Sequence, residues 1–480
     1  MMMARMLFGA SAFFFASLRF GSAFSPSVPA STNNVRDKTG FMSFPLYFSM
    51  TTGSNNNFGP PNQNINHLSS RDDQIRDMIC DMTRFFVNMV DPYSNRFFQI
   101  CFPETGEQCF QQVPLRDLGS TWDASTALLY WKQPSKQQYL EQNPAALTKY
   151  TLEKLELAVD STFEAYASAC VGIEPSDPFF SRGSCISSKV LGQPTTIAHS
   201  GFLLLIASNR LRLGVQGKEA PPQFNAESLV RGILSMQRFS SDGAFGIRFD
   251  ESPLDDDNVH KDVEFAAGEA MTALMDIYEL DERFDVPVLS EETRQSILTA
   301  MSKAIEFYSK LFYEDKVDVN YCIWQIQAFG RFHEALVNQE QVQSTNSSLI
   351  DSEEVAKYVL DMCMDLVRSQ SWKQLAMGKR VYATLETVEI ACGLDALAQG
   401  LRVAESSSNF GEELQARMLR LNAGNAIDYL QFIQDLIPED QAVGKGGLGY
   451  GGLQVKEQRL DVTGHALSAL VKLSFLNHTV

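Results

Sequence analysis

Carboxyl groups and a histidine recur at matched places in this chain, and proton transfer is the chemistry they suit. Glu264 stands four residues before Gly268, and Glu389 four before Gly393. Glu269 and His465 each directly follow a repeat glycine, Gly268 and Gly464. Matched places on different helical hairpins point inward from different sides. Two carboxyl groups so arranged can share a bond-breaking reaction, one donating a proton and the other acting as base or nucleophile. Glu264 and Glu389 are the leading pair, with Asp461 and His465 behind them. Asp123, Glu269 and Glu386 are further acids at helix starts. An acid in a first helical turn also has a plainer role, complementing the helix dipole.

Around these groups stand residues suited to holding a substrate. Arg116 and Arg459 lie near predicted helix starts, where a guanidinium can grip a carboxylate or simply tie down a loop. Trp122, Trp324, Tyr382 and Tyr450 offer rings on which a sugar stacks, and equally offer core packing. Tyr450, inside a glycine run, is the hardest of them to bury. His199 opens a helix and, like Tyr382, is a possible base. Asp461 and His465 are four apart on one helix face, the sole metal-like spacing, and they lack the close Cys or carboxylate partners of a zinc site. No metal and no other cofactor is expected.

These residues need a frame, and helical periodicity supplies it. The pattern predicts six pairs of helices. The first of each pair is longer and more charged: 72–91, 145–170, 224–238, 291–313, 351–370 and 411–435. The second is richer in small and apolar residues: 121–132, 197–212, 262–280, 320–337, 384–401 and 461–475. A helix packed on both sides loses its polar stripe, which explains the contrast. A weak repeat runs through the pairs. Gln237 precedes Asp242-Gly243-Ala244-Phe245-Gly246, and Gln434 precedes Gly446-Gly447-Leu448-Gly449-Tyr450. Open helical solenoids repeat at about 34–47 residues, whereas here the second helices begin much farther apart. We therefore expect an all-α fold, an α/α toroid of six hairpins. Long links at 92–120, 171–196, 239–261 and 436–460 would emerge at the inner helices' N-termini and shape a mouth there.

Asp242-Gly243-Ala244-Phe245-Gly246, the stretch from Ala267 to Leu274, Trp324-Gln325-Ile326-Gln327-Ala328 and Gln458-Arg459-Leu460-Asp461-Val462-Thr463-Gly464-His465 resemble the six-hairpin glycosidase-like superfamily. They also resemble, more broadly, the terpenoid-cyclase and prenyltransferase toroids. The likeness spans about 195–475 in scattered motifs. It implies a carbohydrate-active enzyme, a glycoside hydrolase or a lyase or epimerase on an acidic sugar, acting on a small-molecule or oligosaccharide substrate. The terpenoid resemblance is incomplete, because Asp461-Val462-Thr463 keeps one Asp of the acidic cluster, and Asp255-Asp256-Asp257 falls in a loop. A third reading is a non-catalytic scaffold or binding module, since a fold does not imply an activity.

The rest of the chain bounds these readings. Net charge is −18 over 480 residues, and the first forty are net basic, so the body is strongly acidic and argues against nucleic-acid binding. Arg5 precedes an apolar run, Leu7 to Leu18, of signal-peptide length, and residues 1–23 read as that signal. Residues 24–68, rich in Ser, Thr, Pro and Asn, read as a transit-like and linker segment before a domain at 69–480. Phe24 at the cleavage point resembles the bipartite presequence of algae with secondary plastids and implies plastid import, with the secretory pathway as the alternative. No later segment has the character of a membrane span. Cys101 and Cys109, and Cys170 and Cys185, flank predicted loops as possible disulfide pairs, while Cys322, Cys363 and Cys392 fall in helices and read as buried apolar residues.

Overall fold

A computed structural model of the chain describes residues 63–476, except 112, 144–145, 174–182, 215–223, 238–241, 250–264, 284–287, 315–318, 343–349, 407–409, 438–440, 442 and 452–455. Among the described residues twelve main helices alternate between two layers. The outer ones are α1 (Gln63–Asn88), α3 (Lys149–Ala167), α5 (Ala226–Leu234), α7 (Glu291–Glu314), α9 (Ser352–Arg368) and α11 (Phe410–Gln434). The inner ones are α2 (Pro114–Trp131), α4 (Ile197–Arg212), α6 (Ala266–Arg283), α8 (Val319–Val342), α10 (Thr387–Ser406) and α12 (Leu460–Leu473). Each inner helix packs on the next and α12 returns to α2, which closes the ring. The fold is an α/α toroid of six hairpins.

Small residues set the spacing of the inner wall. A Cβ on Gly201 would lie 3.0 Å from the Cα of Ala270, and one on Gly268 would lie 2.6 Å from the Cβ of Trp324. A Cβ on Gly464 would meet the Asp123 carboxylate. Each glycine therefore lets one inner helix approach its neighbour, and the residue after it, Phe202, Glu269 or His465, takes part in the packed centre. The outer helices are fixed locally by caps. Thr148, Asn225 and Asp351 accept N–H bonds at the starts of α3, α5 and α9.

The two Gln–Gly motifs do one job twice. Gln237 Nε2 donates to the Gly243 carbonyl at 2.8 Å, and Gln434 Nε2 donates to the Gly446 carbonyl at 3.1 Å. Both glycines have positive φ, +82° and +92°, and each abuts a backbone carbonyl of an outer helix, Lys303 on α7 or Asp81 on α1. Only glycine fits such a left-handed, crowded corner without strain. The repeat in the sequence is thus a structural one.

The links carry short strands. β1 (Ile100–Phe102) pairs antiparallel with β2 (Glu107–Cys109) and with β5 (Gln458–Arg459), while β3 (Cys170–Gly172) pairs with β4 (Ser184–Ile186). Cys101 stands opposite Gln108 and Cys109 opposite Ile100; Cys170 stands opposite Ile186 and Cys185 opposite Val171. This one-residue offset puts the two sulfurs of each expected pair on opposite faces. The structure joins neither of these two possible pairs in a disulfide. No described helix is long and apolar enough to cross a membrane.

Candidate functional site

The centre of the ring holds an aromatic layer. Trp122 on α2, Phe202 on α4 and Trp324 on α8 lie 5.5–6.0 Å apart by ring centroids, and His465 on α12 packs edge-on to Trp324 at 6.0 Å. The three carbon-rich rings are buried, whereas the His465 side chain keeps 19% of its surface exposed. Packing has therefore claimed Trp122 and Trp324.

Two carboxyl groups from different inner helices flank His465. Glu269 stands in the first turn of α6 and Asp123 in the middle of α2, both buried. Glu269 Oε2, Asp123 Oδ1 and both polar atoms of Gln325 have no hydrogen-bond partner among the described residues. Burial pushes Glu269 up to about 8, against the opposing charge of His465. Burial likewise pushes Asp123 well above the usual carboxylate range, with His465 opposing. Burial would depress His465, but Cys392, Asp395 and Asp123 hold it well above the ordinary histidine value. Asp123, Glu269 and His465 thus form a coupled set in which burial raises both carboxyl groups and neighbouring acids raise the histidine.

Next to them is an ionised pair. Asp395, buried on α10, lies 3.8 Å from His465 Nδ1 and accepts 2.7 Å from Lys472 Nζ, which also donates to Gln327. Burial alone would raise Asp395, and Lys472 and His465 outweigh it, so the group stays ionised. At the rim, Arg459 grips Asp461 with two nitrogens and stacks 4.6 Å from the Tyr450 ring, and Arg116 lies 3.6 Å from Asp461. These two arginines likewise overcome the effect of burial and keep Asp461 ionised. Burial, reinforced by Arg459, lowers Arg116 to about 10 against the pull of Asp461.

The expected residues are thus partly gathered. Asp123, Trp122, Trp324, Asp461, His465, Arg116, Arg459 and Tyr450 share the ring's centre and its N-terminal mouth. Three do other work. Glu389 accepts 2.7 Å from Ser371 on the short helix 370–375, and Gly393, one turn on, faces Trp372 of that same helix. Gly268 instead faces α8, so the Glu–Gly echo does not mark equivalent places in the ring. His199 accepts the Thr196 N–H at 3.0 Å, closing the start of α4, and burial lowers it to about 4. Tyr382 packs on Tyr429 and Phe432 of α11, in the outer layer. Glu264 lies outside the described residues, as does the Asp255-Asp256-Asp257 run.

Sequence reasoning passed over Asp395, Lys472 and Gln327 and took Cys392 for a buried apolar residue. Their signal was present. Cys392, Asp395, Gln399 and Arg402 recur at three- and four-residue spacing on an otherwise small and apolar helix, which marks a polar stripe facing inward. Among the described residues no group of three or more His, Cys, Asp or Glu converges as a metal site would.

A cavity of about 790 Å³ opens at the C-terminal end of the inner helices. Its wall includes Trp122, Arg212, Asp276, Arg331, Arg402 and Lys472. Arg212 and Arg331 both bind Asp276, at 2.8 and 3.0 Å, and Arg331 also binds Glu279 at 2.8 Å.

No protein family model matches the chain, and no curated protein does. Among solved structures the chain is similar to an unsaturated glucuronyl hydrolase specific for heparin, with a TM-score of 0.43 and 11% sequence identity over 85% of this chain and 100% of that one.

Proposed function

We propose that the chain is a carbohydrate-active enzyme that works by general acid–base catalysis at the N-terminal mouth of the ring. One arrangement carries this reading: Glu269, raised by burial to about 8, and Asp123, raised well above the usual carboxylate range, come from separate inner helices beside the partly exposed His465. A carboxyl group that is still an acid at neutral pH can protonate a leaving glycosidic oxygen. Glu269 is the proton donor in this scheme. Asp461, kept ionised by Arg459 and Arg116, is the partner that activates water. A substrate carboxylate entering there meets the same two guanidinium groups and competes with Asp461 for them, which favours an acidic sugar.

The test is hydrolysis or elimination by the purified protein on a panel of neutral and uronate-containing oligosaccharides. Turnover of a uronate substrate that falls at least about a hundredfold in Glu269→Gln, the scale of a lost general acid, supports the reading. Turnover unchanged by that substitution sinks the assignment of Glu269.

A second reading, a non-catalytic scaffold or binding module, draws support from the Trp122–Phe202–Trp324 layer that packs the ring's centre. An inert protein across the whole panel would favour it.

A further inference from the structure

We propose that the cavity at the C-terminal end of the ring is a binding site for a small organic oxyanion, with the anionic group held by Arg331 and Arg402 and an attached ring laid toward Trp122. Its volume, about 790 Å³, is that of a small-molecule site. Lys132, Arg212, Arg331, Arg402 and Lys472 line it against Asp276 and Glu279, in a chain whose net charge is −18.

The arginines are held, yet not used up. Arg331 commits Nη1 to Asp276 and Glu279, and Arg402 commits Nη2 to Glu334 at 2.9 Å. Among the described residues the remaining nitrogens of both guanidinium groups have no protein acceptor. A guanidinium braced along one edge by a carboxylate presents its other N–H groups in a fixed geometry that suits a carboxylate or phosphate. Deeper in, Lys472 Nζ lies 5.7 Å from the Trp122 ring and is fixed by Asp395 and Gln327. The competing account is that these cations only offset their bracing carboxylates and the negative C-terminal ends of the inner helices. That account needs no ligand and predicts none.

Calorimetric titration of the full chain at low ionic strength separates the two. The probes are phenyl phosphate and inorganic pyrophosphate for the phosphate source, and benzoate and citrate for the carboxylate source. The expected result is saturable binding of at least one probe, with phenyl phosphate tighter than inorganic phosphate, added as a ring-free control, if Trp122 contributes. Arg402→Gln, at a partly exposed position, should weaken that binding at least about tenfold, or 1.4 kcal/mol. Arg331→Lys, which keeps the charge and loses the planar fork, should do the same, with circular dichroism confirming that both variants fold. Glu269→Gln should leave it unchanged, which keeps this site separate from the mouth. No binding by any probe at millimolar concentration, or binding indifferent to both arginine substitutions, would overturn the proposal.

Discussion

Glu269 and Asp276 lie two turns apart on the same inner helix, both buried, both carboxylic acids, yet they titrate at opposite extremes. Burial lifts Glu269 to about 8, whereas Arg212 and Arg331 overcome the same burial and drop Asp276 to about 2. Depth in the ring is therefore not what makes an acid. The partner decides: one histidine leaves the carboxyl protonated, and two guanidinium groups strip it. Beside His465 the inner wall keeps a proton on its acid, whereas around Asp276 it keeps the charges.

The sharpest way to break this contrast is at Asp276. Asp276→Ala leaves Arg212 and Arg331 without their shared buried partner and should cost about 3–5 kcal/mol in denaturant unfolding. A loss under about 1 kcal/mol would mean that the network is solvated and ordinary. Its pH signature is equally specific. The folded pKa lies below the ordinary 3.8, so the stability it contributes is complete above that value and disappears as pH falls toward 2.

Next in size are the two structural corners. Gly243→Ala and Gly446→Ala combine positive φ with a crowded carbonyl, and each should destabilise by about 2–3 kcal/mol. Gly106→Ala, at φ +69° with open space around it, should cost about 1 kcal/mol. Equal losses at all three would show that backbone strain alone matters there and that the contact with the outer helix does not.

Glu269 gives the opposite pH dependence. Its folded pKa lies above the ordinary 4.5, so the folded state holds a proton that the unfolded chain releases. Stability should fall as pH rises from about 5 to 8, at about 1.4 kcal/mol per pH unit, and level off above. Chemical denaturation across that range should lose this slope in Glu269→Gln. A slope retained in the variant would assign the protons to Asp123 and His465 instead. The smallest effect belongs to Ser371→Ala, which removes a bond to Glu389 and should cost under about 1 kcal/mol without changing any turnover found at the mouth.

The frame was legible because it rests on local rules. The repeat glycines Gly268 and Gly464 marked the inner helices, and the Gln237 and Gln434 motifs marked repeated corners. Helix α2 was harder to bound. Pro114 and Arg116 read as loop, whereas Pro114 opens the helix, where its missing N–H costs nothing. The site was legible in part. The residues after the repeat glycines, Glu269 and His465, do belong to the centre, because a matched step in helix packing carries a matched direction. The Glu389 echo failed because local identity cannot report that the 370–375 helix covers that face. Likewise nothing local distinguishes Glu269 from Asp276, whose difference comes from helices α4, α8 and α12.

The ring is sealed where α12 lies on α2, with Gly464 against Asp123 and β5 beside β1. Its order of assembly follows from that seam. Every hairpin before the last can form as it leaves the ribosome, yet the proton-holding cluster needs Asp123 from an early helix and His465 from the final one. Such a long-range contact closes late and slowly. The buried cluster around His465 is therefore complete only when the circle shuts.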